Sequence, residues 1–194
     1  MSRPLHILAF SGSLRQASFN TALLREAAAL LPDGVTLEIF DLAPIPLYNG
    51  DVEAAGVPEA VRQFKAKIAQ ADALLVACPE YNYSVTGVLK NALDWASRPP
   101  RQPFDGKPVA ILGASPGRLG TARAQYHLRQ MLVFLNAYPV NRPEVMIRDC
   151  QGEFDEQLRL LRDDTRDLLR ELLQALADWT DRLHPRSAVA VTAA

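Results

Sequence analysis

Five short apolar runs alternate with helix-period segments from one end of the chain to the other. That alternation leads to a parallel, doubly wound sheet. The runs are residues 5–10, 35–40, 73–78, 108–113 and, more weakly, 140–147. Between them, residues 20–31 repeat apolar positions at Ala22, Leu23, Ala27, Leu30 and Leu31, and residues 58–70 place Val61, Phe64 and Ile68 on one face behind Pro58. Residues 86–97 and 121–135 read as two further helices. Residues 41–57 and 98–107 are rich in Pro and Gly and read as loops. A last helical pattern covers 153–183, with Leu158, Leu161, Leu168, Leu172, Leu176, Trp179 and Leu183 recurring among Arg, Asp and Glu. It either covers one face of the sheet or makes an oligomer contact. A chain of 194 residues favours one domain, taken as residues 1–184 with a tail over 185–194. Five strands fit the order 2-1-3-4-5, with helices on both faces. In that order strands one and three flank the switch point, and the crevice at their carboxyl ends takes the ligand.

Three loops at that predicted edge carry unusual polar residues. After strand three comes Pro79-Glu80-Tyr81-Asn82-Tyr83-Ser84. Two tyrosines, an amide and a hydroxyl offer flat faces and hydrogen bonds together, which suits a planar heteroaromatic ligand. After strand one comes Ser11-Gly12-Ser13-Leu14-Arg15-Gln16-Ala17-Ser18-Phe19-Asn20. Hydroxyls, an amide and an arginine just before a helix N-terminus suit a phosphate. Ser18 and Asn20 are also ordinary helix caps, but capping gives no reason for Arg15. The loop is neither a Walker A sequence nor a GxGxxG fingerprint.

After strand four comes Gly113-Ala114-Ser115-Pro116-Gly117, a literal match to the nucleophile elbow of serine hydrolases. Pro116 argues against it, because the residue after the serine must offer an N–H to the oxyanion hole. The histidines that follow, His127 and His184, are poorly placed to serve as the base. A turn that lets backbone approach a flat ligand is the better account.

The bulk properties exclude more than they assign. A formal net charge of −1, with scattered basic residues, gives no footprint for nucleic acid or an anionic membrane. No apolar run approaches the length of a membrane span. Two cysteines, Cys78 and Cys150, make no disulfide framework, and three separated histidines make no metal motif. A cytoplasmic setting is the expectation.

Taken in order, Ser11-Gly12-Ser13-Leu14-Arg15 with Ser18 and Asn20, then Pro79-Glu80-Tyr81-Asn82, then Gly87-Val88-Leu89-Lys90-Asn91-Ala92-Leu93-Asp94-Trp95, then Ser115-Pro116-Gly117 with Arg123-Ala124-Gln125 resemble the NADPH-dependent FMN reductase family. That family includes bacterial quinone, chromate and azo-dye reductases. The resemblance spans nearly all of residues 5–183. It implies a flavodoxin-like fold and non-covalent FMN, with NADPH or NADH as reductant. The acceptor would be a quinone or a similar small molecule, with chromate, azo compounds and free flavin as further candidates. On this match Ser13, Arg15, Ser18 and Asn20 hold the phosphate, with Ser11 and Phe19 in the same loop. Pro79, Glu80, Tyr81 and Asn82 line the isoalloxazine beside Tyr83, and Ser115 with Gly117 closes its other side. No side chain need be catalytic, since the flavin carries the chemistry, and Glu80 reads as an exposed loop carboxylate.

The resemblance also implies homodimers or homotetramers. On residues 121–135 and their neighbours, Arg123, Tyr126 and Glu144 are candidate interface contacts, because this helix carries long polar and aromatic residues outside its apolar stripe. Thr86 and Thr121 depart from the family pattern, standing where Pro and Gly are frequent, and Thr121 could alter access to the flavin. The competing reading is a flavodoxin-type electron carrier without turnover of its own.

Overall fold

The two-residue period within each strand explains why the sheet is covered on both sides. In the computed structural model, which describes residues 3–185, the chain runs β1 (Leu5–Ser11), α1 (Phe19–Ala29), β2 (Val35–Phe40), α2 (Gly50–Ala55), α3 (Glu59–Gln70), β3 (Ala73–Ala77), β4 (Glu80–Tyr81), β5 (Ser84–Val85), α4 (Gly87–Ala96), β6 (Pro108–Ala114), α5 (Ala122–Phe134), β7 (Tyr138–Pro139), β8 (Val145–Ile147) and α6 (Asp163–Leu183). Leu5, Ile7 and Ala9 of β1 join Ala73, Leu75 and Ala77 of β3 in one apolar cluster, closed by α1 and α6. The intervening Leu8, Phe10, Leu74 and Val76 belong to a second cluster, closed by α3, α4 and α5. Both faces are therefore buried, and β3 is apolar throughout, as a central parallel strand must be.

The sheet order is β2-β1-β3-β6-β7, with β8 also on β6, and every pairing in it is parallel. This is the flavodoxin-like order 2-1-3-4-5, with its fifth position divided between two short segments. Pro139 and Pro143 lie within the 140–147 region or at its border. Each lacks the N–H that a continuous ladder would use, so the strand breaks between them.

Other expectations change in detail. The 153–183 helix begins only at Asp163. Ahead of it, Asp155 Oδ1 accepts the backbone N–H groups of Gln157 and Arg159, both at 2.9 Å, and Leu158 takes a positive φ of 62°. A side chain that offers backbone donors a local alternative to the helix stops it forming there. Helix α6 buries Leu169, Leu172, Leu173 and Leu176 against the sheet, so covering the sheet is its demonstrated task. The 41–57 loop contains α2, capped by the Asn49 side chain. The expected tail, beyond Pro185, lies outside the described residues.

Gly113 shows how tightly the end of β6 is packed. A Cβ there would overlap Thr121 Oγ1 and lie 2.6 Å from the Cys78 carbonyl oxygen. Thr121 is fully buried, and its hydroxyl oxygen accepts the Gln125 amide N–H at 2.9 Å. The threonine therefore fills space that Gly113 leaves and does not gate the open edge. Gly113→Ala should cost about 1–3 kcal/mol of stability through overpacking. In a Thr121→Gly background part of the penalty should vanish, but not all, because the Cys78 carbonyl remains. Urea denaturation midpoints test this, and an unshifted midpoint for Gly113→Ala contradicts it.

Candidate functional site

All three polar loops leave the sheet at one edge. The register pairs Ser11 with Ala77, Ala77 with Leu112 and Ala114 with Ile147, so the residues that follow these strand ends are neighbours. Gly12 fastens the first loop to the second. Its N–H donates to the Ala77 carbonyl at 3.0 Å, and its carbonyl accepts the Thr86 hydroxyl at 2.7 Å. A Cβ on Gly12 would lie 2.7 Å from Thr86 Oγ1 and 2.9 Å from Pro79 Cδ, so only glycine permits this approach. Thr86 is 2% exposed and also caps α4 by accepting the Leu89 N–H at 3.2 Å. Its place in a family position where Pro is frequent is thus explained by two hydrogen bonds that Pro could not make.

The first loop has the composition of a phosphate cradle. Ser18 caps α1 by accepting the Thr21 N–H at 3.2 Å, which leaves its own hydroxyl proton available. The N–H groups of Phe19 and Asn20 take no partner among the described residues. Free N–H groups at the positive end of a helix favour an anion. Ser13 is half-buried, and its N–H donates to Ser11 Oγ at 3.2 Å. Arg15 is exposed, and its guanidinium donates to the Ala17 carbonyl at 2.6 Å, directly before the cap. Hydroxyls, backbone donors and one guanidinium around a helix start are a donor set that fits a phosphate monoester.

Two residues of this loop have a firmer structural task. The Asn20 amide donates to the Ala114 carbonyl at 2.9 Å and accepts the Ala114 N–H at 3.0 Å. It pairs with the end of β6 as a neighbouring strand would, and keeps its second N–H and one Oδ1 lone pair for anything else. The Phe19 ring packs on Phe154 with centroids 5.1 Å apart.

The second loop is a hairpin rather than the plain strand-to-helix connection expected from its sequence. β4 and β5 pair antiparallel, Glu80 with Val85 and Tyr81 with Ser84. Asn82 and Tyr83, between them, have φ of 50° and 68°, the pattern of a two-residue type I′ turn. Asn favours that conformation and tyrosine does not. What compensates is contact with α5. Arg123 lies over the Tyr83 ring, 3.5 Å from its centre, and Ser84 Oγ is 2.9 Å from His127 Nδ1. Tyr81 and Tyr83 remain 52% and 68% exposed, leaving flat apolar surface on the rim.

Glu80 corrects the expectation of an exposed carboxylate. Its side chain is 6% exposed. Oε2 accepts the backbone N–H groups of Arg123 and Ala124 at 3.0 and 3.2 Å. Oε1 accepts Arg123 Nε at 2.6 Å, and the Arg123 terminal nitrogen completes the ion pair. A carboxylate at the start of α5 satisfies donors that the helix cannot. It also holds the Arg123 guanidinium above its usual range through that hydrogen bond. Arg123 is therefore engaged within the protomer, as is Tyr126, whose hydroxyl donates to Glu144 Oε1 at 3.1 Å.

The third loop contains half-buried Ser115, whose hydroxyl oxygen accepts the Gly117 N–H at 3.1 Å. His127 faces Ser84, and His184 Nε2 meets the Gly106 carbonyl at 2.9 Å. Neither histidine is hydrogen-bonded to Ser115 in place of the general base that a hydrolase requires. Thiolate chemistry is no substitute. Burial, with some help from the Glu80 charge, pushes the Cys78 thiol up to about 12, and burial pushes Cys150 up to about 11. No group of His, Cys, Asp and Glu among the described residues could hold a metal.

Several residues that hold the site together were not legible as such. Within the 87–95 segment, Asn91 donates to the Pro46 carbonyl at 2.9 Å and accepts the Tyr48 N–H at 2.7 Å, and the Trp95 indole donates to Pro46 at 2.8 Å. Their partners lie more than 40 positions away, beyond the reach of any local pattern. Only the Asn82 turn had a local signal, since Asn favours type I′ hairpins.

The model of the NADPH-dependent FMN reductase family matches residues 5–152. An NAD(P)H-dependent FMN reductase of Pseudomonas aeruginosa is 61% identical over 183 residues, which cover 94% of this chain and 99% of the relative. A quinone reductase of Escherichia coli K12 is 42% identical, with 94% and 99% covered. Among solved structures, FerB, a flavoenzyme NAD(P)H:(acceptor) oxidoreductase from Paracoccus denitrificans, superimposes with a TM-score of 0.84 at 32% identity, covering 92% of this chain and 98% of that one.

The local geometry makes a prediction about Asn20. Asn20→Ala strips two partners from the buried end of β6 and should cost about 2 kcal/mol or more, because each unsatisfied backbone group carries a desolvation penalty. Thermal or urea unfolding of the purified variant measures it. Wild-type stability would show that the amide pairing is incidental.

Proposed function

The chain belongs to the NADPH-dependent FMN reductase family, and on that premise we propose that it is an NAD(P)H-dependent FMN oxidoreductase that reduces quinones or similar small acceptors. The convergence of a phosphate-type donor set and an aromatic rim at one sheet edge carries this reading. Residues 1–184 act as a single FMN-binding domain. Ser13, Arg15 and Ser18, with the free N–H groups of α1, hold the phosphate. Asn20 and Ser11 shape the loop, and Phe19 anchors its far end in the core. Pro79, Glu80, Tyr81, Asn82 and Tyr83 form one wall around the ring system, and Ser115 with Gly117 forms the other. Bound FMN supplies the redox chemistry, taking a hydride equivalent from NAD(P)H and passing reducing equivalents to the acceptor. The protein's share is to orient and to exclude water. Glu80 and Arg123 fix the hairpin on α5, so Tyr81 and Tyr83 stay at the mouth and offer flat surface to whichever substrate enters.

One crevice serves both substrates, so they use it in turn. The relatives are named as reductases, which favours turnover over a carrier role. Two free, buried cysteines accord with a reducing, cytoplasmic setting, and no helix of the described residues is long and apolar enough to cross a membrane. We also infer a homodimer or homotetramer. Support comes from α5, where Val133 and Phe134 are 78% and 86% exposed at the end of the helix that clamps the hairpin.

Four outcomes test this reading. Purified protein should be yellow and should oxidise NADPH or NADH with a soluble quinone and no protein partner. Anaerobic NADPH should bleach the flavin absorbance before any acceptor is added, and double-reciprocal plots should be parallel. Intersecting plots without bleaching would sink the shared crevice. Arg15→Ala should weaken FMN binding by roughly ten- to a hundredfold, the loss of one charge-assisted contact; an unchanged dissociation constant would reduce the loop to a helix cap. Phe134→Glu should lower the sedimentation coefficient of the assembly, and a wild-type monomer at micromolar concentration would defeat the oligomer outright.

A further inference from the structure

The segments that rim the crevice carry an excess of positive charge. Residues 11–20, 79–86, 113–121 and 145–150 contain three arginines, Arg15, Arg118 and Arg148, but only two carboxylates, Glu80 and Asp149. Glu80 is committed to Arg123. Elsewhere most arginines sit on carboxylates, as Arg3 does on Asp72, Arg98 on Glu53 and Arg159 on Asp155. Arg118 and Arg148 are exposed and have no hydrogen bond or ion pair among the described residues.

They also belong together. Arg118 lies in the loop after β6, and Arg148 directly follows β8. These two segments are stitched by the Ser115 N–H to the Ile147 carbonyl at 2.9 Å and by the Cys150 N–H to the Ser115 carbonyl at 3.3 Å. Gly120 packs so closely on this strand that a Cβ would lie 2.7 Å from the Met146 carbonyl oxygen. Between Arg118 and Gly120 stands Leu119, 57% exposed. Two unpaired guanidiniums beside exposed apolar surface suit a ligand that is both anionic and flat. The donors assigned to the FMN phosphate stand at the start of α1, beside the end of β6, where the Asn20 amide pairs with Ala114.

We propose that Arg118 and Arg148 form a second anion subsite, which takes the 2′-phosphate of NADPH and makes the enzyme prefer NADPH to NADH. The inference rests on the reductase reading and adds to it the residues that choose the nucleotide. A phosphate monoester dianion meets two guanidiniums there, whereas the 2′-hydroxyl of NADH offers them no charge. Asp149 is the one acidic side chain of these segments left to oppose the subsite, and it adjoins Arg148 in sequence.

The first arm of the test needs no turnover. Adenosine 2′,5′-bisphosphate and adenosine 5′-phosphate are titrated calorimetrically into FMN-loaded protein, wild type and the Arg118→Ala/Arg148→Ala double variant. The bisphosphate should bind wild type about tenfold or more tightly than the monophosphate, and the double variant should lose that advantage. In steady-state assays the ratio of kcat/KM for NADPH to that for NADH should fall by a similar factor, with partial recovery in Arg118→Lys/Arg148→Lys. Equal binding of the two adenosine nucleotides by wild type, or an unchanged NADPH-to-NADH ratio in the double variant, overturns the proposal. So does a matching loss of FMN affinity, which would assign both arginines to the flavin phosphate. A protein that takes up FMN but oxidises neither nucleotide would instead contradict the reductase reading, while the calorimetry still decides the subsite.

Discussion

The contact between Gly12 and Thr86 is the one on which the site depends. It joins the loop after β1 to the start of α4, and it exists only because Gly12 has no side chain and Thr86 has a hydroxyl. Through it the phosphate-type loop, the hairpin and α4 become one unit at the carboxyl edge of the sheet. A second tie, from Asn20 to both backbone groups of Ala114, brings the loop after β6 into the same unit. Loops are normally the mobile parts of an α/β fold. Here buried hydrogen bonds make three of them a preformed surface, and such preorganisation lets a protein hold a cofactor without reordering itself.

The hairpin shows the same principle with charge. A left-handed tyrosine is costly, and Tyr83 is held by the Arg123 guanidinium on its ring while Glu80 holds Arg123. Glu80 is therefore the keystone of the aromatic wall. It caps α5, whose exposed apolar end is the surface inferred to meet a partner copy.

The fold was largely legible in the sequence because it rests on local patterns. Strand alternation such as Leu5, Ile7, Ala9 against Leu8, Phe10 is a two-residue signal, and the helix periods of α3 and α6 are equally local. The crevice was expected from the strand order together with the polar residues of the three loops at that edge. What stayed hidden was set by distant partners. Glu80 looked like an exposed loop acid because its helix begins some forty residues later. Asn20 looked like a cap or phosphate ligand because its partner, Ala114, is 94 residues away. The early start assigned to the last helix failed for a local reason, the Asp155 side chain, which competes with the helix for backbone donors. The family resemblance supplied the cofactor and the chemistry, which no pattern of spacing in the chain could have named.

The central claim is that one edge of the sheet, built from three fastened loops, receives FMN. Hydrogen–deuterium exchange of the protein stripped of flavin, with and without added FMN, tests it most directly. The account predicts that protection on binding concentrates in peptides covering 11–20, 79–86 and 113–120, with little change in α6 or β2. Protection centred elsewhere, for instance on the groove between Asn141 and Trp179, with those three loops unaffected, would contradict it.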